Sequence, residues 1–245
     1  MTRRPLLTAV TAAALALGSC TSSGEGEDPP PEDTSEPTTT PTASAADLLL
    51  EEVPVGDGWA SLEAEQVEDA YADRPPGSGV TFDPEDCADA ALLTEDEEGS
   101  TADVAGLGGT TGKDTALPVL AVVREGYSAG DLRDAREDCA TMTVTTGEYT
   151  SEQREEIGDG PEIEGADESF AFEGTYVTSS TGGGQDNSFT RYGIVAEVRE
   201  TLVVVVANPE FEDPNTTTTR PITQETEEQV AKIAQAQVTE ITEAN

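Results

Sequence analysis

The chain has 245 residues, enough for one domain of ordinary size plus a tail, and its 12 basic and 51 acidic residues give a formal net charge of −39. Such a field repels DNA, RNA and anionic lipid headgroups and favours cationic or divalent-ion partners, so nucleic acid is excluded as a partner. There is no His anywhere, which removes Ser-His-Asp, Cys-His and His-zinc chemistry together.

In chain order, the first signal is an export address. Arg3 and Arg4 form a positive n-region, and Leu6 to Leu17 is apolar apart from Thr8 and Thr11. That is the length of a secretory h-region, short of the about 20 apolar residues a membrane span needs. Leu17-Gly18-Ser19-Cys20 follows directly and resembles the bacterial lipobox. By that resemblance residues 1–19 are a lipoprotein signal peptide, Cys20 is the lipidated mature N-terminus, and the protein is anchored on the outer face of the cytoplasmic membrane. An ordinary signal peptide with an incidental Cys is the plainer alternative; the ordered n-region, h-region and box argue against it. From Cys20 onward ten basic residues face 51 acidic ones. The acids are spread along the chain, which reads as a solvated acidic surface rather than a dedicated cation site.

Residues 20–45 form a Thr/Pro/Glu-rich stretch with nothing to build a core, and they read as a disordered tether. At about 3 Å per residue it reaches up to roughly 70 Å. Thr38-Thr39-Thr40-Pro41-Thr42 is a weak compositional candidate for O-glycosylation. The folded domain spans 46–245. Its first helix candidate is Ala45 to Glu52, ending before Pro54. Val55-Gly56-Asp57-Gly58-Trp59 reads as a turn delivering the only Trp, more often a core plug than a cleft lining.

Asp83-Pro84-Glu85-Asp86 reads as a helix start, with Asp as N-cap, Pro at the first helical position and acids over the positive end. Cys87 falls in its first turn. Gly106 to Gly112 reads as a flexible loop and Leu117 to Val123 as a buried strand. Ser128 caps a helix carrying Leu132, Ala135 and Cys139 on one face. With Cys20 lipidated, Cys87 and Cys139 remain, and an even pair in an exported protein reads as one disulfide. Phe170, Phe172 and Tyr176 alternate with Ala171, Glu173 and Thr175, and Tyr192, Ile194, Ala196 and Val198 with Arg191, Gly193, Val195, Glu197 and Arg199. Leu202 to Val206 is fully apolar and follows within a few residues, which predicts an antiparallel meander. Gly182 to Asn187 reads as a hairpin loop and Asn208 to Pro221 as a polar loop. Ile222 to Glu243 is a helix with Val230, Ala234, Val238 and Ile241 on one stripe. The fold class is therefore α+β, a central antiparallel sheet with helices mainly on one face.

The order of these motifs carries a family resemblance. Phe82-Asp83-Pro84-Glu85-Asp86-Cys87-Ala88 precedes an apolar strand and a helix ending in Asp138-Cys139-Ala140-Thr141-Met142. Arg191-Tyr192-Gly193-Ile194-Val195, Leu202 to Val206 and a terminal amphipathic helix follow. Over about 46–243 this resembles the extracellular sensor domain of mycobacterial PknH-type Ser/Thr kinases and its free-standing lipoprotein relatives in actinobacteria. The resemblance implies an α+β fold, a disulfide joining Cys87 to Cys139, and an open cleft for a ligand. This sequence departs in having no second Cys pair.

No catalytic set stands out among the 51 carboxylates. Glu95-Asp96-Glu97-Glu98 and the group Glu210, Glu212, Asp213 and Asn215 lack the twelve-residue calcium-loop pattern. Thr94 with Glu97 reads as a capping box. The Gly-rich stretches at 106–109 and 182–184 lack the Lys-Ser/Thr of a phosphate loop, and Lys113 beside Gly112 is incidental. The expectation is no catalytic residue, no metal and no cofactor. The partners expected are the membrane, through the lipid anchor, and a small molecule, cell-wall component or protein of unknown identity. The protein reads as a non-catalytic ligand-binding or sensing domain. The alternatives are a carrier of lipid or other hydrophobic molecules and a carboxylate-based envelope hydrolase. An apolar cavity of several hundred Å3 favours the carrier, a shallow polar cleft the sensor, and two buried acids within about 10 Å the hydrolase.

Overall fold

Thr201 to Ala207 are seven consecutive buried residues. A strand buried on every residue needs cover on both faces, and this one lies inside a nine-stranded sheet. The computed structural model describes residues 43–63, 66–67, 80–90, 103–110, 117–124, 128–147, 149–180, 186–208 and 222–244. The strands are β1 (Asp57–Leu62), β2 (Val80–Asp83), β3 (Asp103–Thr110), β4 (Leu117–Arg124), β5 (Thr141–Thr146), β6 (Tyr149–Gly158), β7 (Glu168–Ser180), β8 (Asn187–Val198) and β9 (Thr201–Asn208). Their order across the sheet is β1-β3-β4-β9-β8-β7-β6-β5-β2, and every neighbouring pair is antiparallel. Helix α1 (Ala129–Asp138) follows β4, and α2 (Gln224–Glu243) follows β9.

The period-two rule sorts the core into two layers. Leu120, Val122, Ile194, Ala196, Val203 and Val205 point to one face, where Val230, Ile233, Ala234, Val238 and Ile241 of α2 pack on them. Val119, Ala121, Val123, Val195, Val204 and Val206 point to the other, with Phe170, Phe172 and Ala129 and Leu132 of α1. The α+β class and the central antiparallel sheet are as expected. The 20-residue α2 puts most of the helical mass on the first face, and the 10-residue α1 lies on the second. No helix among the described residues is long and apolar enough to cross a membrane.

Local chemistry sets the element ends. Ser128 Oγ accepts from the Asp131 amide and Glu197 Oε2 from the Ala129 amide, so two orphan donors of α1 are satisfied. Thr223 caps α2 through the Thr226 amide. Arg199 and Glu200, both at positive φ, turn β8 into β9, as a two-residue hairpin of matching twist requires. Asp167 Oδ2 accepts from the Arg199 amide, and Arg199 Nη1 donates to the carbonyls of Ile241 and Ala244. A cation thus sits on the negative end of α2.

Four expectations need correction. Residues 106–110 are strand, not loop. A Cβ on Gly106 would lie 2.5 Å from Val67 Cγ2, and one on Gly109 2.4 Å from the Trp59 ring; these glycines make room for neighbours packed on the sheet. Trp59 is in edge strand β1 rather than in a turn. The helix candidate at 45–52 is a single 3-10 turn, Ala46–Leu48, and the segment from Glu85 to Ala90 is also 3-10. The described chain begins at Ala43, and Ala45 is already fully buried. The tether up to residue 42, the Gly182 to Gly184 stretch and the 209–221 loop lie outside the described residues.

Candidate functional site

The segment from Ala43 to Val55 lies along the β1–β3 edge as a strap, and polar contacts fix it. The Arg124 guanidinium donates to the Ala43 carbonyl. Asp103 Oδ2 accepts from the Ala45 amide at 2.7 Å. Gln237, with 0% of its surface exposed, donates through Nε2 to the Leu48 carbonyl at 2.6 Å and accepts at Oε1 from the Leu50 amide at 3.1 Å. A primary amide offers a donor and an acceptor side by side, so Gln237 takes the place of a pairing strand for this stretch of backbone. Ser44 holds the Asp47 carboxylate through its hydroxyl and its amide, which lowers the Asp47 pKa below the ordinary range.

Between the strap and the edge strands is a recess of about 470 Å3, within the roughly 300–1,000 Å3 typical of small-molecule sites. Leu49, Leu50, Val53, Trp59, Leu62 and Leu107 give it apolar walls, with Ala46, Ala105 and Gly106 between them. Its polar side chains are Glu51 and Ser61. Trp59 Nε1 donates to the Val55 carbonyl at 2.8 Å, so the indole offers the recess ring surface and no donor. Val55 also borders an open, polar groove of about 530 Å3 formed with Gln224, Glu225, Glu228, Gln229 and Lys232 of α2.

A second polar centre lies under α1. Arg136 Nη1 donates to both carboxylate oxygens of Glu155, at 2.9 and 2.7 Å, and Tyr176 Oη donates to Glu155 Oε1 at 2.8 Å. The two charged side chains are 8% and 5% exposed. The guanidinium stands 4.2 Å from the Phe172 ring centroid, and Tyr176 stacks on Phe189 at 5.0 Å. The carboxylate is already held by three donated bonds, an arrangement that anchors α1 on β6 and β7 rather than one poised to move protons.

Cys87 and Cys139 are joined, with Cα atoms 5.6 Å apart; the bridge ties the 3-10 turn after β2 to the end of α1. Trp59 is half-buried, packs against the core and lines the recess as well. Cys20, Thr94, Glu97, Lys113 and the acidic groups at 95–98 and 210–215 lie outside the described residues. Among the described residues no group of three or more Cys, Asp or Glu side chains is placed to hold a metal ion. Sequence reasoning missed Gln237, the Leu49-Leu50 wall and the Arg136–Glu155 pair. Helical spacing from Leu132 to Arg136 was a usable signal for the last, since it puts the cation on the buried face of α1.

Comparison with known proteins adds the following. A family model described as "Domain of unknown function (DUF5642)" matches residues 66–237. The match covers the β3 wall of the recess and Gln237, and begins after the strap. No curated protein matches the chain. One solved structure, an uncharacterised protein from Mycobacterium smegmatis described as the Rv0999 ortholog, aligns with 16% identity and a TM-score of 0.46, covering 74% of this chain and 85% of that one.

Proposed function

This chain belongs to the DUF5642 family, and on that footing we propose that it is a non-catalytic binding module of the cell envelope. In this reading lipid on Cys20 holds it to the outer face of the cytoplasmic membrane, and the recess beside Trp59 is its ligand site. The observation that carries the reading is the recess itself. It is of small-molecule size, its walls are apolar, and one wall is the strap that leads back to the tether. A binding event there meets the same stretch of chain that joins the domain to its anchor, which is what a sensor of the PknH-type ectodomain kind needs. The size and apolar walls of the recess favour a carrier of a hydrophobic molecule, its contact with the strap favours a sensor, and the two readings differ in whether the ligand is delivered or read. For the hydrolase reading the buried carboxylate at Glu155 offers no support, because Arg136 and Tyr176 already occupy it.

Titration with the neutral probe N-phenyl-1-naphthylamine tests the site. Saturable 1:1 binding that alters Trp59 emission, and that Leu107→Asn weakens by making the wall polar, is the expected result. Binding unaffected by Leu107→Asn would move the site elsewhere. Cys20→Ser tests the anchor separately: the variant should take up no palmitate and leave the membrane fraction, and continued labelling would overturn that part.

A further inference from the structure

We infer that the recess selects hydrophobic molecules whose polar end is cationic, such as an alkyl or aryl ammonium, and discriminates against fatty acids and other anionic amphiphiles. The inference rests on the reading of the recess as the ligand site and adds the chemical class of the ligand.

Two of the donors at the recess are already engaged. A bound carboxylate or phosphate requires N–H or O–H groups, or a cation, to replace its water. The Trp59 indole N–H is committed to the Val55 carbonyl, and the Leu50 amide to Gln237. Arg124, at the far end of the strap, donates to Ala43. Among the described lining residues none is cationic, and the one charged side chain is Glu51, which is exposed. Ser61 contributes a single hydroxyl.

The charge around the recess has the same sign. Asp47 and Glu52 lie on the strap to either side of Glu51 and the apolar wall residues, all three acids are exposed, and the chain carries −39 overall. A strongly acidic surface raises the local concentration of cations and lowers that of anions. A cation entering here also meets an aromatic ring, and Trp is the strongest of the side chains that attract cations through the ring face. The ligand therefore has a hydrophobic body for Leu49, Leu50, Val53 and Leu107, and a positive end left at the Glu51 rim.

Trp59 is the only Trp in the chain, so its emission reports on the recess without a label. The mature chain is titrated with dodecylammonium, dodecyl maltoside and dodecanoate, each below its micelle concentration, with butylammonium as a headgroup control. The ammonium amphiphile is expected to bind at least tenfold more tightly than dodecanoate at low salt, with the maltoside between them and no effect of butylammonium. The ratio should shrink in Glu51→Gln, and again in 1 M salt, where the Debye length is about 3 Å. Dodecanoate binding as tightly as dodecylammonium, or a ratio unmoved by both Glu51→Gln and salt, overturns the inference while leaving the site in place. No Trp59 response to any of the three amphiphiles overturns the site itself.

Discussion

Gln237, near the middle of α2, accepts a hydrogen bond from the amide of Leu50, 187 positions earlier in the chain. Nε2 of the same Gln237 side chain donates to the Leu48 carbonyl. With Arg124 and Asp103 holding the start of the strap, this one buried side chain fixes its middle and shapes the wall of the recess. Gln237→Leu keeps the volume and removes both bonds, leaving two strap backbone groups unpaired. Unmade buried hydrogen bonds cost about 1–3 kcal/mol each. The expected outcome is a lower melting temperature and faster hydrogen exchange at the Leu50 amide, with α2 exchange little changed. Unaltered exchange at Leu50 would show that the strap is held by other means.

The Arg136–Glu155 pair predicts a non-additive series. Glu155→Gln leaves a buried guanidinium without its carboxylate and should cost about 3–5 kcal/mol. Arg136→Leu should cost a similar amount for the converse reason. The double change Arg136→Leu with Glu155→Gln should cost clearly less than the sum. Urea unfolding of the four proteins checks this, and strict additivity would mean that the two groups do not act as a pair.

Much of the fold was legible in the sequence, and the gaps have physical causes. The continuous apolar run of β9 and the stripe of α2 announce themselves, because burial on two faces or on one helical face leaves a periodic record. β6, Tyr149–Gly158, leaves almost none: its residues Thr150 to Glu156 are polar or charged, and it is a strand because β5 and β7 pair with it on both sides. β3 was hidden for a different reason, since its glycines look like a loop until Val67 and Trp59 are seen packed against them. The site was the least legible part. Its strap-side wall comes from Leu49 and Leu50 beside the tether, and its fastener, Gln237, reads in sequence as one more polar residue of an acidic helix. The disulfide was legible from Cys count alone.

That disulfide closes a loop across a separation of 52 residues. In the chain-entropy account such a loop is worth roughly 4 kcal/mol. Cys87→Ser combined with Cys139→Ser should lower the melting temperature and free the end of α1, while the β4–β9–β8 centre stays protected in hydrogen exchange. Unreduced peptide mapping of the parent should recover the two Cys peptides joined. Titration of two free thiols in the folded protein would contradict the pairing.

Tyr192 sets an alkaline limit. Its hydroxyl is pushed up to about 12, first by burial and then by the carboxylates of Glu227 and Glu173. The unfolded value is about 10. A group with a raised folded value contributes stability that is complete below the unfolded value and lost as pH rises through the folded one. Stability should therefore fall between about pH 10 and pH 12, and Tyr192→Phe should flatten that part of the curve. A parent and variant with the same alkaline profile would sink the assignment.

The central claim is that the recess between strap and sheet edge holds a small hydrophobic molecule. Native mass spectrometry of the full-length protein, extracted gently from its own membrane, tests it most directly. The account predicts one non-covalently bound small molecule per chain, an amine-bearing amphiphile released on denaturation and depleted in Leu107→Asn prepared in parallel. A bare parent that also leaves Trp59 emission unchanged when incubated with its own envelope extract would contradict it.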